Sequence, residues 1–176
     1  MKNQILSFQV NRNTNLMKSL SLAIMLIFIV PVLANAQAGK TNFSGTWALN
    51  SEKSELGQGG QRFGGGDMVV KQEANLLNVE RTFTTGDGDS RSMASKYTLD
   101  GKEGTNDSGR GESKSKANWS ADGKSLTIVT RSSFNGNERT STEVWKLNDA
   151  KTLSIASKRQ GRDGGEVKTT RVYDKK

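Results

Sequence analysis

Near its carboxy-terminal end the chain reads Thr170-Arg171-Val172-Tyr173-Asp174-Lys175, which sets an arginine and a tyrosine two residues apart. On an extended strand side chains alternate, so Arg171 and Tyr173 share one face, together with Val167 and Thr169. A guanidinium beside a phenol offers charge-assisted and hydroxyl donors to an anionic group in a partly dry cavity. Other chemistries fall away by composition. The chain has no Cys and no His, so it cannot build a Ser-His-Asp triad, a thiol nucleophile, a zinc site with His or Cys ligands, or haem ligation through either residue. Catalysis by carboxylates alone needs two acids facing one cavity about 5–10 Å apart, and among the 18 acids no pair stands out from surface charge. The expectation is a protein that is not an enzyme, with no catalytic residue, cofactor or metal. The glycine-rich segment from Gly57 to Gly66 lacks the Gly-Lys-Ser/Thr ending of a phosphate loop. Asp87-Gly88-Asp89-Ser90 lacks the remaining ligands of a calcium loop.

The elements that would position such a pair are strands. Asp87-Gly88, Asp100-Gly101, Asp122-Gly123, Asn135-Gly136 and Asp163-Gly164 recur between short β-favouring runs, and Asx-Gly marks hairpins because both turn residues take positive φ. The predicted strands are 44–50, 67–73, 76–84, 92–99, 112–119, 124–134, 138–147, 152–160 and 166–174. Apolar residues fall on alternate positions: Trp47 and Leu49; Met68 and Val70; Leu77, Val79 and Phe83; Met93, Tyr97 and Leu99; Leu126 and Ile128; Trp145 and Leu147; Leu153 and Ile155. One buried face per strand, short turns and strands without proline predict an all-β fold, a single antiparallel up-and-down β-barrel of about eight to ten strands. Residues 101–118 carry almost no apolar side chain and are expected to be polar on both faces or flexible. The Gly57 to Gly66 segment reads as a mobile mouth or lid loop, with Phe63 its one large apolar group. Trp119, after the polar stretch, is expected at a strand end or at a rim.

The front of the chain predicts export. Lys18 precedes an apolar run from Leu20 to Leu33, and Ala34-Asn35-Ala36 follows, the order of a secretory signal peptide cleaved after Ala36. The run is short for a bilayer span, and Pro31 interrupts it. Residues 1–36 therefore read as a signal-peptide helix, starting at Met1 or Met17, and residues 37–176 as one barrel domain. The expected location is periplasmic or secreted, with no stable membrane anchor after cleavage. All 18 acids follow residue 36, whereas Lys2, Arg12 and Lys18 precede it, so removing the leader lowers the formal charge from +8 by three. That modest balance predicts a solvated shell, and no nucleic-acid motif is present. A monomer is expected.

The two ends together resemble a known superfamily. Phe43-Ser44-Gly45-Thr46-Trp47-Ala48-Leu49 resembles the Gly-x-Trp opening strand of the calycins, the lipocalins and fatty-acid-binding proteins, and Thr170 to Lys175 resembles the closing strand of the fatty-acid-binding branch. The chain is also similar to exported bacterial proteins described as lipocalin-like. The resemblance implies that Arg171 and Tyr173 grip an acidic group inside the barrel, and that Gly45 and Trp47 serve barrel closure. A lipocalin resemblance equally implies Arg171 packed on Trp47. The helical lid of the fatty-acid-binding branch has no counterpart in the glycine-rich interval. The expected function is an exported binding protein holding a small hydrophobic or amphipathic ligand in its interior, with Arg171 and Tyr173 suited to an anionic one. The alternative is an envelope interaction module that binds glycan or protein through its outer surface and loops, with a filled barrel.

Overall fold

Strands occupy almost every segment that the alternation marks. A computed structural model describes residues 39–57, 66–85, 87–107, 111–134, 136–161 and 164–176. Ten strands follow one another: β1 (Gly45–Glu55), β2 (Met68–Gln72), β3 (Leu76–Thr84), β4 (Ser90–Thr98), β5 (Glu103–Asp107), β6 (Glu112–Trp119), β7 (Ser125–Phe134), β8 (Asn137–Asp149), β9 (Thr152–Gln160) and β10 (Glu166–Lys175). They form one antiparallel sheet in the order β4-β3-β2-β1-β10-β9-β8-β7-β6-β5, so the meander wraps round until its first and last strands pair. Gly39–Lys176 is one compact unit, and the predicted all-β up-and-down barrel is the observed fold. The glycines of the five Asx-Gly turns all have positive φ, from 68° at Gly123 to 91° at Gly88. The predicted signal segment 1–36 with its helix, and most of the glycine-rich loop with Phe63, lie outside the described residues.

Ladder register defines which residues face inward. Leu77 lies opposite Tyr97 and Val79 opposite Val70. Trp145 lies opposite Leu126 and Ile155, and Tyr173 opposite Leu153 and Leu49. Apart from the half-buried Leu49, these partners are among the buried side chains of the molecule, and with Phe43, Trp47, Met68, Leu99 and Ile128 they form a single core. Burying each large apolar side chain contributes roughly 1.5–3 kcal/mol, so this core is the main source of stability.

The core sits towards one end of the barrel, and the chain itself supplies a floor there. Before β1, Thr41 N–H donates to Gly123 O (2.9 Å) across the β6–β7 turn. The Gln72 amide then clamps the same segment, accepting from Phe43 N–H at 2.9 Å and donating to Thr41 O at 3.0 Å. This strap drops Phe43 into the barrel, where its ring stacks on Trp119 (centroids 5.8 Å apart, 6° between planes) and meets Trp145 edge-on (5.8 Å, 73°). Trp119, expected at a strand end or rim, is half-buried against this floor, with Lys40 Nζ 5.7 Å from its ring centroid. The turn fits so tightly that a Cβ on Gly123 would lie 2.5 Å from Gly39 O.

The wall is nearly closed. Ladder pairing is absent between β4 and β5, the two ends of the strand order. There the Asn106 amide takes the part of a strand, accepting from Lys96 N–H at 2.6 Å and donating to Lys96 O at 3.0 Å. The Thr98 hydroxyl adds a bond to Lys102 O at 2.9 Å. The strand β5 falls inside the stretch read as polar or flexible, and it is polar on both faces: Glu103-Gly104-Thr105-Asn106-Asp107 pairs with β6 without one apolar side chain. Strand prediction omitted it because a strand held by backbone bonds at a seam needs no hydrophobic alternation.

Candidate functional site

Gly45 and Trp47 stand on β1, where it pairs with β2 on one side and the end of β10 on the other. Trp47 is fully buried, and its indole N–H donates to Phe43 O at 3.0 Å. The cation over its ring is Lys175, with Nζ 5.4 Å from the centroid. Gly45 makes room for this arrangement, because a Cβ there would lie 3.0 Å from Lys175 Cε and 3.4 Å from Trp47 Nε1. The Gly-x-Trp spacing thus has a steric cause: the glycine clears the space that the lysine stem and indole occupy.

Arg171 and Tyr173 occupy inward-facing register positions on β10, opposite Ile155 and Leu153. Tyr173 is buried, and Arg171 is half-buried. Both converge on two residues that the motif reading did not single out, Arg81 on β3 and Glu143 on β8. Arg81 Nη2 donates to Glu143 Oε2 at 2.9 Å, and the Trp145 indole N–H donates to the same oxygen at 3.0 Å. The guanidinium of Arg81 also lies 5.5 Å from the Trp145 ring centroid. Tyr97 and Tyr173 lie close enough to Arg81 to act on it electrostatically. Arg171 is close enough to act electrostatically on both Glu143 and Tyr173.

The protonation behaviour follows from this packing. Burial opposes the charge on Arg81, but Glu143 and the two phenols outweigh it and hold the guanidinium charged beyond its ordinary range. Burial likewise pushes the Glu143 carboxyl up. Arg81, the Trp145 indole and Arg171 together pull it below the usual carboxylate value. Burial raises the Tyr173 phenol, and the two arginines only partly offset that. At neutral pH the Arg81–Glu143 pair is therefore ionised and the Tyr173 phenol neutral. The cluster lies inside the wall, at the upper boundary of the core.

Two features make this cluster a candidate binding site. The side chains of Arg81 and Glu143 retain 18% and 21% of their surface open to solvent although their register positions face the interior. Space above the core therefore reaches them. Beyond them the inward positions turn polar, with Ser157 and Thr169 beside Glu143 and Ser141 beside Thr130, and the inward-facing Met93 is 40% exposed. Solvent thus reaches the described inward positions towards the end opposite the floor. No group of three or more acids that could hold a metal occurs among the described residues.

A signal for the missed partners does exist in the sequence. Arg81 interrupts the apolar alternation Leu77, Val79, Phe83, and Glu143 precedes Trp145 and Leu147 at the same spacing. Each puts a charge in a slot whose neighbours are core residues, and a buried charge requires a partner.

No protein-family model matches this chain, and no curated protein matches it. Solved structures similar to it include the wild-type fluorescent protein UnaG, 19% identical, with 76% of this chain and 97% of that chain covered and a TM-score of 0.49. Two single-residue variants of UnaG match over 76% of this chain and 96% and 95% of theirs, with TM-scores of 0.49 and 0.47 and the same 19% identity. What the interior can hold is decided by its own side chains, to which this likeness adds none.

Proposed function

We propose that this protein is a carrier or binding protein that holds a small amphipathic molecule inside its barrel, with an acidic group of that molecule set against Arg171, Tyr173, Tyr97 and Arg81. The observation that carries this reading is the solvent-reachable Arg81–Glu143 pair, joined by a second arginine, at the top of an otherwise apolar core. Two guanidinium groups and two phenols gathered at that height supply charge-assisted and hydroxyl donors suited to an oxyanion. A carboxylate or similar group fits there while its apolar part lies along the inward Phe83 and Met93.

The export half of the proposal rests on Lys18, the apolar run Leu20 to Leu33 and the Ala34-Asn35-Ala36 site, which together favour work outside the cytoplasm. Binding, rather than catalysis, is the role proposed.

The test is titration with anilinonaphthalene sulfonate, an apolar fluorescent anion, on the protein and on Arg171→Gln. Circular dichroism serves as the check that the variant is folded. The variant is expected to bind about tenfold or more weakly, the loss that follows removal of one charge-assisted bond of roughly 1.5–3 kcal/mol. Unchanged affinity in a folded Arg171→Gln protein would refute the site.

A further inference from the structure

The ladder sorts the two basic residue types by face. Arg81, Arg91, Arg139, Arg159 and Arg171 all occupy inward-facing register positions, opposite Met93, Phe83, Ser132, Ser141 and Ile155. Lys71, Lys96, Lys114, Lys116, Lys146, Lys158 and Lys168 all occupy outward ones. Arg131, opposite Lys114, is the outward arginine, and Lys175, over Trp47 at the floor, is the inward lysine. Glu143 is the one acid that the register places inward among the described residues. Solvation of the wall alone does not produce this separation, since lysine and arginine serve it equally. A guanidinium differs in presenting a planar fork that matches carboxylate or phosphate oxygens in pairs.

The inward arginines also divide by depth. Arg81 and Arg171 are half-buried at the top of the core, whereas Arg91, Arg139 and Arg159 are exposed and lie towards the end opposite the floor. Among the described residues the outer three have no inward acid beside them to match Glu143. Arg159 stands opposite Val167, four residues along β10 from Arg171. At about 3.3 Å per residue Arg159 lies roughly 13 Å from Arg171, whereas Arg91, opposite Phe83, lies two residues, roughly 7 Å, along from Arg81.

Building on the proposed anion site, we infer that the bound molecule carries two acidic groups, one held at Arg171 and Arg81 and a second, about 13 Å away, held by Arg159 at the mouth, with Arg91 and Arg139 completing the guanidinium set there. The inner group fixes depth, and the outer guanidinium set selects a dianion over a monoanion of the same apolar length. Arginine is placed at both levels because each must engage a planar oxyanion, and the outward lysines take no part.

Dodecanedioate and dodecanoate are suitable probes, since their chains are equal and the carboxylates of the first span about the required distance. Calorimetric titration of the protein is expected to show dodecanedioate binding about tenfold or more tightly. The triple variant Arg91→Gln, Arg139→Gln, Arg159→Gln should remove that preference and leave dodecanoate within about twofold of its original affinity. Arg171→Gln should weaken both probes. Equal binding of the two acids by the unaltered protein, with Arg171→Gln still weakening both, would overturn the two-acid inference and leave the single-anion site standing. Binding of neither acid would overturn both readings. Sedimentation of the protein with phosphatidylglycerol vesicles, lost in the triple variant while the two acids bind alike, would instead assign the outer arginines to an anionic surface and end the inference.

Discussion

The floor and the mouth of this barrel are built from the same strands yet follow opposite rules. At the floor, Phe43, Trp47, Trp145, Leu77, Leu126 and Leu153 are completely buried and meet ring against ring or methyl against methyl. Towards the mouth the same inward register carries Ser141, Ser157, Thr169 and exposed arginines. Apolar burial is concentrated where the strap of residues 41–43 plugs the barrel, and the other half contributes little of it. Stability and recognition are thereby placed at different heights of one wall, so the polar half can change its side chains without unfolding the rest.

The sharpest way to break that division is Phe43→Ala. Removing the ring that touches both Trp119 and Trp145 is expected to cost about 3–4 kcal/mol in urea denaturation, as for other buried Phe truncations. Probe affinity of the folded protein should stay the same. A loss below about 1 kcal/mol would mean that the floor is not where the fold is held.

Glu143→Gln examines the boundary between the two halves. It leaves Arg81 without its countercharge and should cost about 2–3 kcal/mol at neutral pH, less than a fully enclosed pair because a fifth of each side chain meets solvent. The pH dependence has a definite sign. The Glu143 carboxyl titrates below its unfolded value, so its stabilising effect is complete above about pH 4–5 and is lost as pH falls through the lower folded value. Denaturation midpoints of the two proteins should differ by a constant amount at neutral pH and converge in acid. A gap that persists in acid would assign the effect to packing instead of charge.

The smallest effect is expected at the β4–β5 seam. Asn106→Ala removes two bonds to the Lys96 backbone and should cost about 1–2 kcal/mol, since each contributes roughly 0.5–1.5 kcal/mol. Faster hydrogen exchange at the Lys96 amide, with the β8–β9 amides unchanged, would locate that loss at the seam.

Much of the architecture was readable from the residues alone, because alternation and Asx-Gly turns act locally. The strands from 44–50 to 166–174 and the inward residues Trp47, Leu77, Leu126, Trp145 and Leu153 all follow from period two. The strand β5 did not, since its place depends on backbone pairing with β6 and on a single asparagine. The site was readable on one side only. Arg171 and Tyr173 stand two apart in one motif, but their partners Arg81 and Glu143 lie 62 positions from each other. Nothing local in the sequence says that β3 and β8 face each other across a barrel. The unexpected lysine over Trp47 has the same origin, for Lys175 reaches that ring only once β1 and β10 are side by side.

That last pairing also governs when the molecule can form. Asn50 bonds Asp174 across a sequence separation of 124, and the Lys176 amide bonds Thr46 O. The opening strand therefore finds its mate only once residues 166–175 have been made, and until then β1 keeps an unsatisfied edge. Joining these two strands is a long-range event with a large loop entropy to overcome, so it sets the pace at which the wall can be assembled.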